Sequence, residues 1–297
     1  MKALIDGDII LYRCGFAAQS KVYHLTIPSY LGEIPKFKYK KDMLAWKKEK
    51  GQENKEFSVV IDTVIEPVEN ALNNVKTVLT EVQGYLSKRF NDVEMEVYLS
   101  SSLNFRDDIA TIKVYKGNRD PSQKPHWYNE IKEYLKTVWK ATEEEHLEAD
   151  DILADLQGND TCIVSTDKDL DQIAGWHYNW VKDMLYEVSP DQAIHSKYTQ
   201  ILTGDSTDNI EGIPGLGPVG AEKCLEWCAS VEDYEQVLAE QYEHFFSNTS
   251  KGVEKCNEYG MLWDEILEET RELITLGKNK NEKQDERVPV KHDVGDI

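Results

Sequence analysis

MKALIDGDIILYRCGFAA (residues 1–18) opens the chain with a short apolar strand, KALID (2–6), that runs straight into a helix, IILYRCGFAA (9–18). A strand feeding a helix across so short a link is the unit from which parallel sheets are built. Working outward, EVYLS (96–100) and TCIVST (161–166) read as further strands, with YNWVKD (178–183) as another. Between the first two, Ile65, Val68, Leu72, Val75, Leu79, Val82 and Leu86 recur at steps of three and four. That spacing predicts a long amphipathic helix over 65–90 whose stripe is core. Residues 126–140, HLEADDILADL (146–156) and Pro190 to Leu202 suit helices, and the remainder to about 276 reads as helical. Residues 19–57 read as irregular, and KFKYKKDMLAWKKEK (36–50) within them sets seven lysines against Asp42 and Glu49. KNKNEKQDERVPVKHDVGDI (278–297) is expected to be a polar, frayed tail.

Strands alternate with helices over the first 185 residues, so the fold class is α/β with a parallel sheet. Ligands of such sheets bind outside the carboxyl ends of the strands. Asp6 follows the first strand, Ser100 and Ser101 the second, and Asp167 and Asp169 the third. The acids therefore gather along one edge.

The 297 residues are 40% hydrophobic, which suits a globular protein with a sizeable core. No apolar run reaches the length of a membrane span, and Asp6 and Asp8 break the pattern of a signal peptide, so a cytoplasmic protein is expected. Cys14, Cys162, Cys224, Cys228 and Cys256 are scattered, and free thiols are expected. A net charge of −21 argues against a phosphate-binding surface unless many acids are collected in one site.

Four acidic groups stand out: Asp6/Asp8, Glu148/Asp150/Asp151, Asp167/Asp169/Asp171 and Asp205/Asp208. Clustered carboxylates repel one another unless a cation intervenes, and hard oxygen ligands suit Mg2+ or Mn2+. Two such ions, roughly 4 Å apart, would serve an in-line phosphoryl displacement. Any single pair also reads as a helix cap, EADD above all, and Asp171 as a solvated residue. The combination at strand ends carries the reading.

GDSTDNIEGIPGLGPVGAEKCLEW (204–227) interleaves Gly212, Gly215, Gly217 and Gly220 with Pro214 and Pro218, ahead of a helix expected near Ala221. Glycines let a backbone approach phosphate, and helix-start amides bind anions. A tight interhelical turn is the plain alternative.

This segment resembles the acidic loop and helix–three-turn–helix of the 5′ nuclease superfamily: flap endonucleases, the 5′ nuclease domain of bacterial DNA polymerase I and phage 5′→3′ exonucleases. LIDGDIILYR (4–13), NFR…VYKGNR (104–119), EADDILADL (148–156) and STDKDLDQI (165–173) match in order, so the resemblance spans about 2–228 and looks nearest to exonucleases of short-tailed phages. It implies a PIN-like core over 1–185, with an insertion at about 19–60 and an arch at about 101–135. A helical DNA-binding region over 186–277 includes the helix–three-turn–helix at 204–228. It implies that Asp6, Glu148 and Asp150 hold one metal, that Asp167 and Asp169 hold a second with Asp205 and Asp208 beside it, and that Asp151 helps through waters. Lys116 would act on the scissile phosphate, with Arg106 and Arg119 on the same path. Gly212, Gly215, Gly217 and Lys223 would meet DNA backbone, with a place for K+ at that element. Tyr115, His126, Trp127 and Tyr128 would stack on bases or pack in the core.

The implied partners are DNA with a free 5′ end or flap, RNA primer hybrids and replication proteins, for a monomer. Three departures stand out. Ser100 or Ser101 replaces an aspartate of the family, with Asp8 as a substitute; Glu211 and Val219 replace a proline and a basic residue; and 19–92 is long, with its lysine-rich part expected on DNA or a partner. Two alternatives remain: a PIN-type ribonuclease and a non-catalytic nucleic-acid binder. Binding of DNA is expected to need divalent metal or low salt.

Overall fold

The structure is a computed structural model and describes residues 1–120 and 123–277, so the tail expected over 278–297 lies outside the described residues. In chain order the first half holds β1 (Lys2–Asp6), α1 (Gly7–Ala17), β2 (Gln19–Thr26), α2 (Lys40–Glu49), β3 (Ser58–Ile65), α3 (Val68–Phe90), β4 (Glu94–Leu99), α4 (Arg106–Ile109) and α5 (Tyr128–Val138). The second holds β5 (Thr142–Glu143), α6 (Ala149–Leu156), β6 (Thr161–Val164), a 3-10 turn (Asp169–Gln172), β7 (Gly175–Asn179), β8 (Met184–Val188), α7 (Pro190–Thr203), β9 (Gly204–Asp205), β10 (Ile210–Glu211), α8 (Pro218–Leu225), α9 (Val231–Asn248), α10 (Ser250–Tyr259) and α11 (Trp263–Ile274). Among the described residues no helix is long and apolar enough to cross a membrane.

Two units are distinguished by their internal contacts. The first comprises, among described residues, 1–8, 85–120 and 140–277. It contains a six-stranded sheet in the order β5–β4–β1–β6–β7–β8, parallel except for the antiparallel β7–β8 edge. The expected α/β class with a parallel sheet is therefore present. Ala3, Leu4 and Ile5 on β1 are fully enclosed, as a central strand covered on both faces requires. Asp6 stands opposite Tyr98 of β4, and Ile5 opposite Val164 of β6, so three strand ends share one edge.

The strand expected at 178–183 is corrected. β7 stops at Asn179, whose side chain accepts the Lys182 N–H at 3.1 Å, and Asp183 turns through a positive φ of 51° before β8 begins. YNWVKD is mostly a hairpin turn. Beyond it, Ser189 and Gln192 cap α7 reciprocally with Pro190 in its first turn. Helices α7, α9 and α11 then bury Ile201, Leu202, Leu238, Tyr242, Phe246 and Ile266 in one cluster. The helix expected near Ala221 begins earlier, at Pro218, with Gly217 as its cap.

The second unit comprises Ile9–Gly84 and Gln123–Trp139. Its 19–57 stretch is not irregular as expected. β2 and β3 form an antiparallel ribbon from Gln19↔Ile65 to Thr26↔Ser58, and α2 lies in the connection. Leu25, Ile27, Phe37 and Met43 give this insertion a small core of its own. So few apolar residues spread over so long a segment leave no period to read, and only the pairing in space reveals them. The helix expected from 65 starts at Val68, since Ile65 ends β3.

Candidate active site

Gly7 sets the geometry at the end of β1. A Cβ there would stand 2.5 Å from the Tyr98 carbonyl oxygen, so only glycine lets the chain turn this close to β4. Asp6 is buried and its Oδ2 accepts the Ser165 hydroxyl at 2.7 Å. Ser165 Oγ accepts the Asp167 N–H, and Asp167 Oδ1 accepts the Asp169 N–H, both at 3.0 Å. One hydrogen-bonded relay thus runs from the end of β1 through the residues after β6. On the other flank, Asp8 Oδ2 accepts the Ser100 N–H at 3.1 Å, while Ser100 Oγ accepts the Ala149 N–H at 3.0 Å. Ser100 therefore ties the end of β4 to the start of α6, which carries Glu148 and Asp150.

The electrostatics register this convergence. Burial first, then repulsion from Asp6, Asp167 and Glu148, pushes Asp150 well above the usual carboxylate range, with Lys116 opposing. Burial, Asp167 and Asp205 push Asp169 up to about 7. Acids from four separate stretches of chain therefore feel one another. Among the described residues, no three histidine, cysteine or acidic side chains close into a ready metal cage. Two of the acids are instead engaged by cations of the same unit. Glu148 accepts bonds from Lys116 Nζ and, at 2.8 Å, from the Tyr115 hydroxyl. Asp208 is met by Tyr115 at 2.9 Å, by Lys116 at 3.5 Å and by Arg119.

The strap carrying Lys116, a turn over 115–118, is fastened to the 204–209 loop. Lys116 N–H donates to the Asp208 carbonyl at 2.8 Å, Asn209 Nδ2 to the Val114 carbonyl at 2.8 Å, and Asn118 Nδ2 to the Ser206 carbonyl at 2.7 Å. Lys116 (φ 52°) and Asn209 (φ 62°) hold left-handed conformations where the strap and loop meet. Asp205 Oδ1 closes the loop on the Thr207 N–H at 2.7 Å.

Other expected residues are placed elsewhere. Arg106 is 1% exposed and Asp151 0%, and they pair with each other through two hydrogen bonds of 2.7 and 2.8 Å, with Glu148 3.7 Å from the same guanidinium. This corrects both assignments: a guanidinium sealed in the core reaches no phosphate, and a carboxylate saturated by it is not left for a metal's waters. Tyr115 is buried and spent on Glu148 and Asp208, so it stacks on no base. Trp127 donates to the Glu66 carbonyl at 2.8 Å, His126 lies edge-on to Trp127, and Tyr128 lies 5.7 Å from Tyr12; all belong to the second unit. Asp171 accepts the Tyr186 hydroxyl at 2.7 Å rather than standing solvated.

The glycines divide by role. A Cβ on Gly212 would fall 2.2 Å from the Gly204 nitrogen, so its smallness serves backbone packing. Gly215 turns at φ 89°, and Gly215 and Gly217 face open space ahead of α8. Lys223 is exposed on α8, and Val219 is 75% exposed beside it. Glu211 is consumed by Lys113 at 3.1 Å, Lys255 at 2.8 Å and the Tyr259 hydroxyl at 2.7 Å. Ser165 and Ser100, which organise the edge, were not singled out as donors from the sequence; their position just past strand ends was the available signal.

The donor set suits a hard divalent cation. It is all carboxylate oxygen, and at Asp150 the negative charge exceeds what Lys116 offsets.

No protein-family profile matches the chain. Curated relatives do. A 5′-3′ exonuclease of Buchnera aphidicola is 30% identical over 173 residues, covering 50% of this chain and 58% of the relative. The exodeoxyribonuclease of Enterobacteria phage T3 is 30% identical over 149 residues, covering 47% and 49%. DNA polymerase I of Rhizobium leguminosarum is 35% identical over 147 residues, covering 42% of this chain and 14% of the polymerase. The chain thus spans 58% or less of each of these relatives. Among solved structures, T5 D15 protein co-crystallised with metal ions aligns at TM-score 0.46 and 16% identity, over 92% of this chain and 97% of that one.

Proposed function

We propose that this relative of 5′-3′ exonucleases is a divalent-metal-dependent 5′ nuclease that hydrolyses DNA phosphodiesters. The observation that carries the reading is Asp150, crowded by Asp6, Asp167 and Glu148 at the carboxyl edge of a parallel sheet. Asp6, Glu148 and Asp150 would hold one Mg2+ or Mn2+; Asp167 and Asp169 would hold a second, with Asp205 and Asp208 beside it. When bound, such ions supply Lewis-acid activation of water and neutralise phosphoryl oxygens.

The chain's own groups do the rest. Lys116 stands between Glu148 and Asp208, where its ammonium meets a scissile phosphate brought to that edge. Arg119, half-exposed on the same strap, extends the positive path. The open backbone at Gly215 and Gly217, the start of α8 and Lys223 suit the DNA backbone, and K+ would fit this element's role. In this reading 1–185 is the nuclease core and 186–277 the DNA-binding region. The enzyme acts as a monomer in the cytoplasm on free 5′ ends, flaps or RNA primer hybrids, in phage replication or primer removal, and leaves a 5′-phosphate.

The test is cleavage of 5′-labelled flap and recessed duplexes, in matched DNA and RNA versions, across a Mg2+ and Mn2+ titration. Metal-dependent release of 5′-phosphorylated DNA products is expected, with Asp167→Asn lowering the rate at least a hundredfold. A preference for RNA flaps would replace the reading with a ribonuclease. DNA retention without cleavage under any divalent ion would replace it with a binder.

A further inference from the structure

Helix α2 shows a basic, aromatic face that the carboxylate edge does not use. Its inner side is fixed by packing. Met43 and Lys47 are buried, Trp46 lies edge-on to Tyr30 at 5.3 Å, and the Lys47 ammonium sits 3.3 Å over the Phe57 ring. That anchoring turns Lys41, Leu44 and Lys48, three and four residues apart, to the opposite, exposed side. Lys38 and Tyr39 continue this side just before the helix. Tyr39 is 52% exposed, and the Lys38 and Lys41 ammoniums stand 5.9 and 5.5 Å from its ring centre.

The charges here are not answered from within. Among the described residues, Lys36, Lys38, Lys40, Lys41 and Lys48 form no ion pair with a carboxylate, whereas Lys50 pairs with its neighbour Glu49 at 3.1 Å. Acids outnumber bases 55 to 34 in the whole chain, yet this stretch gathers seven lysines against two acids. Packed ammoniums repel one another until a polyanion neutralises them. A ring flanked by two ammoniums matches a repeating polymer of flat bases and phosphates. An intact duplex offers no free base face to such a ring, and an acidic peptide has no base to stack.

We propose that this face binds single-stranded nucleic acid, with phosphates on Lys38, Lys41 and Lys48 and a base stacked on Tyr39. The choice of nucleic acid over an acidic protein rests on the nuclease reading above.

The test is fluorescence anisotropy of the full chain with a labelled dT 20-mer in EDTA, across a salt series. Without divalent ions the carboxylate edge repels phosphate and cleavage plays no part, so the share of binding due to α2 is read from what its variants lose. The triple variant K38E/K41E/K48E is expected to weaken binding at least tenfold. It should also flatten the slope of log K against log salt by about 2, from ~0.7 per phosphate contact. Tyr39→Ala should cost about tenfold on the single strand and little on a duplex. K38Q/K41Q/K48Q, with its melting curve compared with the parent, gives the answer if the glutamate variant fails to fold. Unchanged affinity and slope in the folded lysine variants would overturn the proposal. So would equal loss on single strand and duplex for Tyr39→Ala, or poly-glutamate competing as well as the oligonucleotide. Loss of cleavage with this binding intact would sink the nuclease reading alone.

Discussion

Arg106 grips both carboxylate oxygens of Asp151, at 2.7 and 2.8 Å, deep in the first unit. The same guanidinium donates to the Leu273 carbonyl at 2.9 Å and the Thr275 carbonyl at 3.1 Å, pinning the C-terminal end of α11 against α6. Removing one partner leaves a buried charge unanswered, at about 3–5 kcal/mol. Arg106→Met and Asp151→Leu singly are expected to lower urea-unfolding stability by that order, and the double variant by clearly less. A double variant as unstable as the sum of the singles would show that the pair is not one coupled unit.

Asp150 and Lys116 are expected to respond with opposite signs. Asp150→Asn removes one of several repelling carboxylates, so the melting temperature in EDTA should rise by about 2–4 °C, as ~1 kcal/mol does in a chain of this size. The extra rise on adding Mg2+ or Mn2+ should shrink. Thermal melts with and without metal check both.

Lys116→Ala leaves Glu148 and Asp208 short of a counter-charge. Its melting temperature in EDTA should fall, its metal-induced rise should exceed that of the parent, and cleavage should drop. Metal-induced stabilisation equal to the parent's would show that this ammonium and the ions do not share the same carboxylates.

Glu211 supplies a pH test. Burial opposes its ionisation, but hydrogen bonds from Lys255, Tyr259 and Lys113 outweigh that and hold it at about 2, against 4.5 ordinarily. A carboxyl depressed in the fold adds stability above its unfolded pKa, and that contribution is lost as pH falls towards the folded value. The stability gap between parent and Glu211→Gln should be level above about pH 5 and close between roughly pH 4.5 and 2. A gap that widens on acidification would reverse the sign.

Gly212 and Gly217 separate packing from contact. Gly212→Ala forces a Cβ against the Gly204 backbone and should cost about 3 kcal/mol or more. Gly217→Ala meets nothing within 4 Å and should cost under about 1 kcal/mol. If the loop approaches phosphate, Gly217→Ala weakens DNA binding without a matching loss of stability, which anisotropy and urea melts together resolve.

KALID and TCIV declared themselves as strands because a strand covered on both faces must be a short unbroken apolar run. Asp6 and Asp167 could be placed at one edge because a parallel sheet puts all its carboxyl ends on the same side. The ribbon at 19–65 is not legible in the sequence because its strands pair with each other across a connection rich in lysine, and pairing leaves no local period. YNWVKD looked like a strand because its apolar residues fall within reach of β7, while the turn is made by Asn179 and Asp183.

The linear order of residues therefore determined the α/β class, the run of acids at strand ends and the glycine-rich approach to α8, since each follows from local periodicity and backbone freedom. Tertiary structure alone decided which charge meets which. Arg106 faces Asp151, 45 positions away, instead of a substrate, and Tyr115 bridges Glu148 and Asp208 instead of stacking on a base. The reason is physical: a charge is buried only where its partner is brought within about 3 Å, and that distance is set by how distant elements pack.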